Sequence, residues 1–399
     1  MTNLLDGPAD GRLDTHLDHH GRTPVLNAPQ LVAQLRAAGL TGRGGAGFPT
    51  WRKVDAVLRA GGTPVVVANG AEGEPFSGKD RALLTYQPHL VLDGLQLAAR
   101  ALDARTAHLY TGLASADGVR AALTARRGTG LDPIPVTVTV APDTFIAGEE
   151  SAAVAAVSGR PAVPADKQRR ITEAGVGGAP TLVQNVETLA QIALIARHGP
   201  DWFRSAGTPD EPGTFLATVS GAVVAPGVIE AGHGVRLGEL ITAAGGPTAP
   251  LQAVLLGGYH GGWAPARRDL EISRAALAPL GASPGAGIVR ALSANECGLV
   301  ETARIADYLA GEVAGQCGPC INGLPRLAGT MADLARQRAR PGLPAEVARL
   351  AAMVTGRGAC RHPDGTARMI ISALRTFKAD VAAHLAGRCL ASASGGVRR

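Results

Sequence analysis

Short β-branched runs alternate with longer apolar-periodic stretches from Asn27 to about residue 208, and this alternation limits the fold more than any single motif. Asn27 is placed to cap a helix that has Pro29 in its first turn and Leu31, Val32 and Leu35 on one face, and Gly39 is placed to end it. Val65-Val66-Val67, Ala107–Tyr110 and the alternating Val136–Val140 read as strands, with helices predicted near 89–103 and 115–126 between them. Such alternation implies βαβ units in a largely parallel sheet, and sheets of this kind take phosphate ligands at their strand-to-helix turns.

The pattern changes after Pro209-Asp-Glu-Pro212. Thr214–Ser220, Gly221–Val224, Gly227–Glu230 and Val254–Leu256 read as short strands around one helix at Leu237–Ala244, giving a small β-rich module at 213–275. Residues 290–399 read as helical, with helices near 299–312, 324–338, 345–355 and 366–385. Residues 1–26 read as a polar, irregular arm. His16, His19 and His20 lie close together in it, but no cysteine or patterned carboxylate accompanies them, so they are read as solvated and carry no assigned function.

With 46% hydrophobic and 18% charged residues, the chain can bury a sizeable core. No apolar run approaches the roughly 20 residues of a membrane-spanning helix. The first residues show no basic start followed by an apolar stretch, so a cytoplasmic location is expected. The net charge of +6 comes from 35 Arg and 4 Lys scattered singly among acids, which excludes a nucleic-acid-binding block. Five cysteines, an odd number, fit a metal or redox site in a reducing compartment better than a disulfide framework.

Four glycines fall within Gly42-Arg43-Gly44-Gly45-Ala46-Gly47, directly after the first helix and before Phe48-Pro49-Thr50. Such density lets successive backbone N–H groups turn toward one anion, although a plain tight turn uses the same glycines. Lys53 sharpens the reading: one of only four lysines stands within a helical turn of the loop, where its ammonium can meet a phosphate as a point charge. Asn69-Gly-Ala-Glu72-Gly-Glu74-Pro75 follows the Val65 strand at its carboxyl end, where open α/β sheets bind ligands. Its amide and carboxylates can hydrogen-bond a heterocycle and a ribityl or ribose hydroxyl, or form a solvated acidic turn. Gly148-Glu149-Glu150 opens a helix at 151–158, where carboxylates are also ordinary dipole partners. Gln184-Asn185 stand at the start of an apolar helix, as ligand contacts or as caps.

Cys317-Gly-Pro-Cys320 lies beside a helix, and Cys360 follows in Gly358-Ala359-Cys360-Arg-His362. Thiolates converging from such a pair and a distant cysteine bind zinc or an iron–sulfur cluster. Three are one short of a full set. Cys297, Cys389 and His362 are candidates for the fourth ligand; a three-iron cluster or a degenerate site needs none.

The order of these elements is more specific than any member. From about Leu35 to about Leu385 the sequence resembles the NADH-binding flavoprotein (F) subunit family of respiratory complex I, with its relatives in soluble hydrogenases and formate dehydrogenases. The resemblance implies an α/β fold: a Rossmann-like FMN- and NADH-binding domain at 27–208, a β-grasp (soluble-ligand-binding) domain at 213–275 and a C-terminal helical bundle for an iron–sulfur cluster at 290–399. It implies that Gly42, Arg43, Gly44, Gly45, Ala46, Phe48 and Lys53 surround the FMN phosphate and the nicotinamide pocket. Flavin and NADH contacts are implied at Asn69, Glu72 and Glu74, at Gly148, Glu149 and Glu150, and at Gln184 and Asn185. Asn69 and Glu72 then serve the isoalloxazine and its tail, and Cys317, Cys320 and Cys360 the cluster. The implied activity is NADH dehydrogenase, with FMN and a four-iron or three-iron cluster as cofactors and NAD(H) as substrate. Electrons would leave singly for a ferredoxin-like or other iron–sulfur protein subunit.

Departures from the family pattern are equally concrete. Ala314 stands where the cluster motif has its first cysteine, Ala71 where the flavin motif has aspartate, and Gln184 where the amide pair has asparagine. Ala56 and Phe145 replace an expected aromatic and an expected tyrosine. These leave two rivals to NADH oxidation: a non-enzymatic electron-transfer or assembly protein, and a flavoprotein reductase for a ferredoxin or quinone outside complex I. A zinc-stabilised ligand-binding protein is a third.

Overall fold

The structure, a computed structural model, describes residues 4–166, 169–338 and 340–391. Residues 1–3 of the arm and 392–399 of the helical end thus lie outside the described residues. The chain divides into two compact units, 1–216 with 230–234, and 217–229 with 235–399.

Among the described residues of the first unit, strands β1 (Val65–Gly70), β2 (Thr106–Gly112), β3 (Val136–Ala141) and β4 (Thr181–Asn185) accompany eight α-helices. These are α1 (Leu13–His20), α2 (Ala28–Ala38), α3 (Thr50–Ala60), α4 (Lys79–Tyr86), α5 (Pro88–Ala101), α6 (Leu113–Arg126), α7 (Glu150–Val157) and α8 (Val186–Arg204). The sheet order is β3-β2-β1-β4 and every pair is parallel. The chain steps outward from β1 through β2 to β3, then returns to lay β4 on the other side of β1. The order therefore reverses between β1 and β4, where connections diverge and a ligand crevice opens at the strands' carboxyl ends.

The local signals behave as expected. Asn27 and Gln30 form a reciprocal capping box (3.0 Å each way), and Gly39 ends α2 at φ +72°. Val67, Tyr110 and Val183 pack with Ala153 and Val154 of α7 on one face of the sheet. Val66, Ala68 and Leu182 alternate with them, equally buried, and α5 and α8 pack on β1. A Cβ on Gly94 would lie 1.9 Å from the Leu189 carbonyl oxygen, so helices α5 and α8 approach this closely only because residue 94 is glycine.

The arm is not irregular: residues 13–20 form α1. His16 is buried rather than solvated, with Nε2 2.9 Å from Asp93 Oδ2. Asp93 of α5 also accepts from Arg126 (2.8 Å) and Arg197, so one buried carboxylate ties α1, α6 and α8 to α5. A polar segment this short is helical because of its tertiary partners, which composition cannot reveal.

In the second unit, β5 (Thr214–Gly221, its start in the first unit), β6 (Gly227–Gly232, its end in the first unit), β7 (Leu251–Leu256), β8 (Gly262–Pro265) and β9 (Ile288–Ser293) form a sheet of order β6-β5-β9-β7-β8. Strands β5 and β9 are parallel, whereas β7 runs antiparallel to both β8 and β9. Helices α9 (Leu237–Ala243) and α10 (Arg274–Leu277) accompany it. Gly221–Val224 is not a strand. The chain turns at Gly221 (φ +85°), where a Cβ would meet the Ala291 carbonyl at 2.1 Å. The last strand, β9, lies beyond residue 275, the boundary expected for this module.

Helices α11 (Gly298–Gly311), α12 (Leu324–Ala335), α13 (Leu343–Val354) and α14 (His362–Thr376) follow, then α15 (Lys378–Leu385). α11 and α13 each pack on both α12 and α14, closing a four-helix ring. The single helix expected at 366–385 is divided at Phe377, whose ring packs on Trp263 at 5.2 Å. Among the described residues, no helix is long and apolar enough to cross a membrane.

Candidate functional site

The glycine loop has a closed neck and an open tip. Thr41 bridges Pro49, the Gly42 N–H donates to the Phe48 carbonyl (2.9 Å), and the Thr50 N–H donates to the Leu40 carbonyl (3.0 Å). Arg43 is buried; its backbone N–H donates to Thr188 Oγ1 (2.9 Å) and its guanidinium to Thr41 Oγ1 (3.1 Å), anchoring the loop. Gly45 and Gly47 adopt φ of +108° and +60°, which few other residues tolerate. As a result, the N–H groups of Gly44, Gly45, Ala46 and Gly47 meet no acceptor among the described residues, and Gly44 and Ala46 are exposed. Donors held on a rigid neck without acceptors are what an anion cradle requires. Phe48 stands half exposed beside them.

The β1–β4 register places Asn69 opposite Asn185 at the reversal point of the sheet. Asn185 Nδ2 donates to the Asn69 carbonyl (3.2 Å) and to Asp80 (2.7 Å). A Cβ on Gly44 would lie 3.4 Å from the Asn185 Cβ, so the loop sits directly against this amide. Asn69 Nδ2 donates to the Gly148 carbonyl (3.0 Å), and a Cβ on Gly73 would come within 2.6 Å of the Thr144 carbonyl. The 42–47 loop, the 69–75 turn, the 145–150 turn and Asn185 are therefore brought together.

The carboxylates divide into different roles. Lys53 Nζ donates to the Val183 carbonyl (2.9 Å) and pairs with Glu150 (2.7 Å), which leaves one of its three donors for a ligand. Glu72, expected with Asn69 on the isoalloxazine and its tail, accepts from Ser77 Oγ and from the N–H groups of Asp80 and Arg81 (3.1 Å each), capping α4. Glu149 similarly caps α7 through the Ser151 N–H (2.7 Å). Carboxylates at helix starts satisfy otherwise orphaned donors, so these two hold the turns that carry the site. Glu74 is half-buried in its turn. Gln184 is buried with Nε2 unpartnered, as is Thr50 Oγ1. Buried donors left unsatisfied cost about 1–3 kcal/mol each. The open loop amides fit an anionic cofactor.

Sequence reasoning missed the charge cluster beneath the site. Lys79 is buried with Asp80 (2.6 Å), Glu187 (3.0 Å) and Asn185 Oδ1 (3.1 Å). Burial alone would lower its pKa, but the Asp80 and Glu187 carboxylates outweigh that and hold it above the ordinary range. Burial pushes the Asp80 carboxyl up, and Lys79 only partly offsets it. The scarcity of lysine that drew attention to Lys53 applies equally to Lys79.

The cluster cysteines converge between helices: Cys317 and Cys320 between α11 and α12, Cys360 between α13 and α14. Burial, then the neighbouring Cys317 and Cys360, push the Cys320 thiol up to about 12. Burial would raise Cys317 too, but the N–H groups of Ala359 and Cys320 hold it lower. Each of the three candidate fourth ligands has contacts elsewhere. His362 has Nδ1 3.1 Å from His260 Nε2 and Nε2 2.8 Å from the Leu309 carbonyl, so both ring nitrogens are engaged. Cys297 and Cys389 group with His384 instead. With alanine at 314, the donor set fits a cluster held at three corners rather than four.

Three family models match in the same order. Residues 35–194 match the Nuo51 FMN-binding domain, residues 216–258 the SLBB domain, and residues 301–384 the NADH-ubiquinone oxidoreductase-F iron-sulfur binding region. The F subunit of NADH-quinone oxidoreductase from Streptomyces coelicolor is 30% identical over 412 residues, covering 97% of this chain and 91% of that protein. The second F-type subunit of the same enzyme in Rhizobium meliloti is 31% identical, covering 90% and 89%. The crystal structure of an NAD+-reducing [NiFe]-hydrogenase in its H2-reduced state superposes with a TM-score of 0.85 at 29% identity. That match covers 96% of this chain, which spans 66% of the hydrogenase chain. By sequence, by fold and by the order of its sites, this chain belongs to the family of NADH-quinone oxidoreductase F subunits.

Proposed function

We propose that this chain binds FMN in the β1–β4 crevice, oxidises NADH there, and passes electrons to a cluster on Cys317, Cys320 and Cys360. The observation that carries this reading is the row of loop N–H groups without acceptors, seated against Asn185 where the strand order reverses. Bound there, FMN would accept hydride and release electrons one at a time. The chain supplies placement and charge. Amides of residues 44–47 hold phosphate oxygens and the remaining Lys53 donor adds a point charge beside them. Glu150, fixed by Lys53, orients the nucleotide, and Phe48 offers an exposed ring for stacking. Asn69 and Asn185 tie the turns, while Glu72 and Glu149 cap the helices behind them. Its relatives are named as subunits, and the same reading makes this chain one cytoplasmic component of an NADH-oxidising complex with another iron–sulfur protein as acceptor.

Lys53→Ala tests the reading at the anion. A charge-assisted hydrogen bond contributes about 1.5–3 kcal/mol, so FMN affinity is expected to fall about ten- to a hundredfold. Flavin content after purification and the dissociation constant from flavin fluorescence measure it. Unchanged values would remove Lys53 from the site.

A further inference from the structure

All five cysteines fall into two groups, and the second lies outside the cluster motif. Cys297 is the N-cap residue of α11, His384 sits on the last turn of α15, and Cys389 follows that helix. Their ligand atoms all lie within 4.8 Å of one another, with Cys297 Sγ 3.4 Å from His384 Nε2. This group is separate from the other thiols: Cys297 is influenced by Cys389, whereas Cys320 is influenced by Cys317 and Cys360.

His384 is oriented as a metal ligand. Its Nδ1 lies 3.1 Å from the Leu334 carbonyl oxygen at the end of α12. A carbonyl only accepts, so Nδ1 carries the proton and the Nε2 lone pair of the neutral ring faces the two sulfurs. His384 is buried, while both cysteines are partly exposed, which gives an ion a way in. Tetrahedral zinc, with Zn–S of about 2.3 Å and Zn–N of about 2.0 Å, sets its ligand atoms about 3.5–3.8 Å apart, so small side-chain movements suffice. Two thiolates, a neutral imidazole and Zn2+ sum to zero charge, which suits a half-buried place.

We infer that Cys297, His384 and Cys389 form a second metal site, with the ligand set of Zn2+, which pins the start of α11 and the end of α12 to the chain beyond α15. Three protein ligands leave one position for water or an exogenous ligand.

The test uses full-length protein, purified anaerobically, stripped with chelator, and carrying Cys317→Ser and Cys320→Ser to remove competing thiols. Titration with Co2+ is expected to saturate at about one equivalent, with sulfur-to-cobalt charge-transfer absorption and intense tetrahedral visible bands that Zn2+ displaces. Adding Cys389→Ser is expected to abolish both features with circular dichroism unchanged, since residue 389 lies beyond α15. If the doubly substituted protein fails to fold, wild type and Cys389→Ser are compared directly, and the expected loss is about one equivalent of Co2+. Absence of the bands from folded protein, their survival in Cys389→Ser, or a disulfide joining residues 297 and 389 in the protein as isolated would each overturn the site.

Discussion

Lys79→Met is expected to destabilise the first unit by about 3–5 kcal/mol near neutral pH, because it strands Asp80 and Glu187 in the interior without their cation. It also takes one donor from Asn185 Oδ1, so the amide against which the glycine loop sits loses one of its anchors. The pH dependence separates this account from simple loss of packing. Burial already holds the Asp80 carboxyl above the ordinary carboxylate range, and without Lys79 it rises further. A carboxyl whose pKa is raised on folding favours the folded state below its unfolded value, and that stabilisation is lost as pH rises through the folded value. The stability gap between wild type and Lys79→Met should therefore be narrower at about pH 5 than at about pH 8. Urea unfolding at the two pH values measures it; a gap under about 1 kcal/mol, or one independent of pH, contradicts the account.

Asp93→Asn is expected to cost about 3–5 kcal/mol as well, since Arg126 and Arg197 would remain buried without their shared carboxylate. Here the sign is opposite. Burial alone would raise the Asp93 pKa, but the His16 hydrogen bond and the two guanidinium groups overcome it and hold the carboxyl below its usual range. Such a group stabilises fully above the unfolded value of about 4, and its contribution disappears as pH falls below that. Wild type should lose stability in acid toward that of Asp93→Asn, so the two curves converge. Parallel curves would mean that Asp93 is not the carboxylate that titrates.

The parallel sheet was legible because its strands carry β-branched runs and its helices a clear apolar period. β4 was not, because Thr181–Asn185 flows without a turn into α8, whose N-cap is the strand's own last residue, Asn185. β8 has four residues, bounded by glycine and proline, too few for alternation to register. Among the candidate residues, the glycine loop drew attention by its glycine density and Lys53 by the scarcity of lysine. The roles of Glu72 and Glu149 were not legible, because a carboxylate that caps a helix and one that meets a ligand share the same sequence position; only the direction of nearby N–H groups tells them apart. His16 and Lys79 were obscured for a related reason, since burial of a polar side chain depends on partners distant in sequence.

One spectrum reaches the central claim directly. Anaerobically purified protein, recorded in the ultraviolet and visible before and after NADH, is predicted to show FMN absorption that NADH bleaches, over a broad iron–sulfur background. Protein that folds yet retains no flavin on reconstitution would contradict the cradle at residues 42–47, and bound flavin that NADH leaves oxidised would contradict the proposed activity.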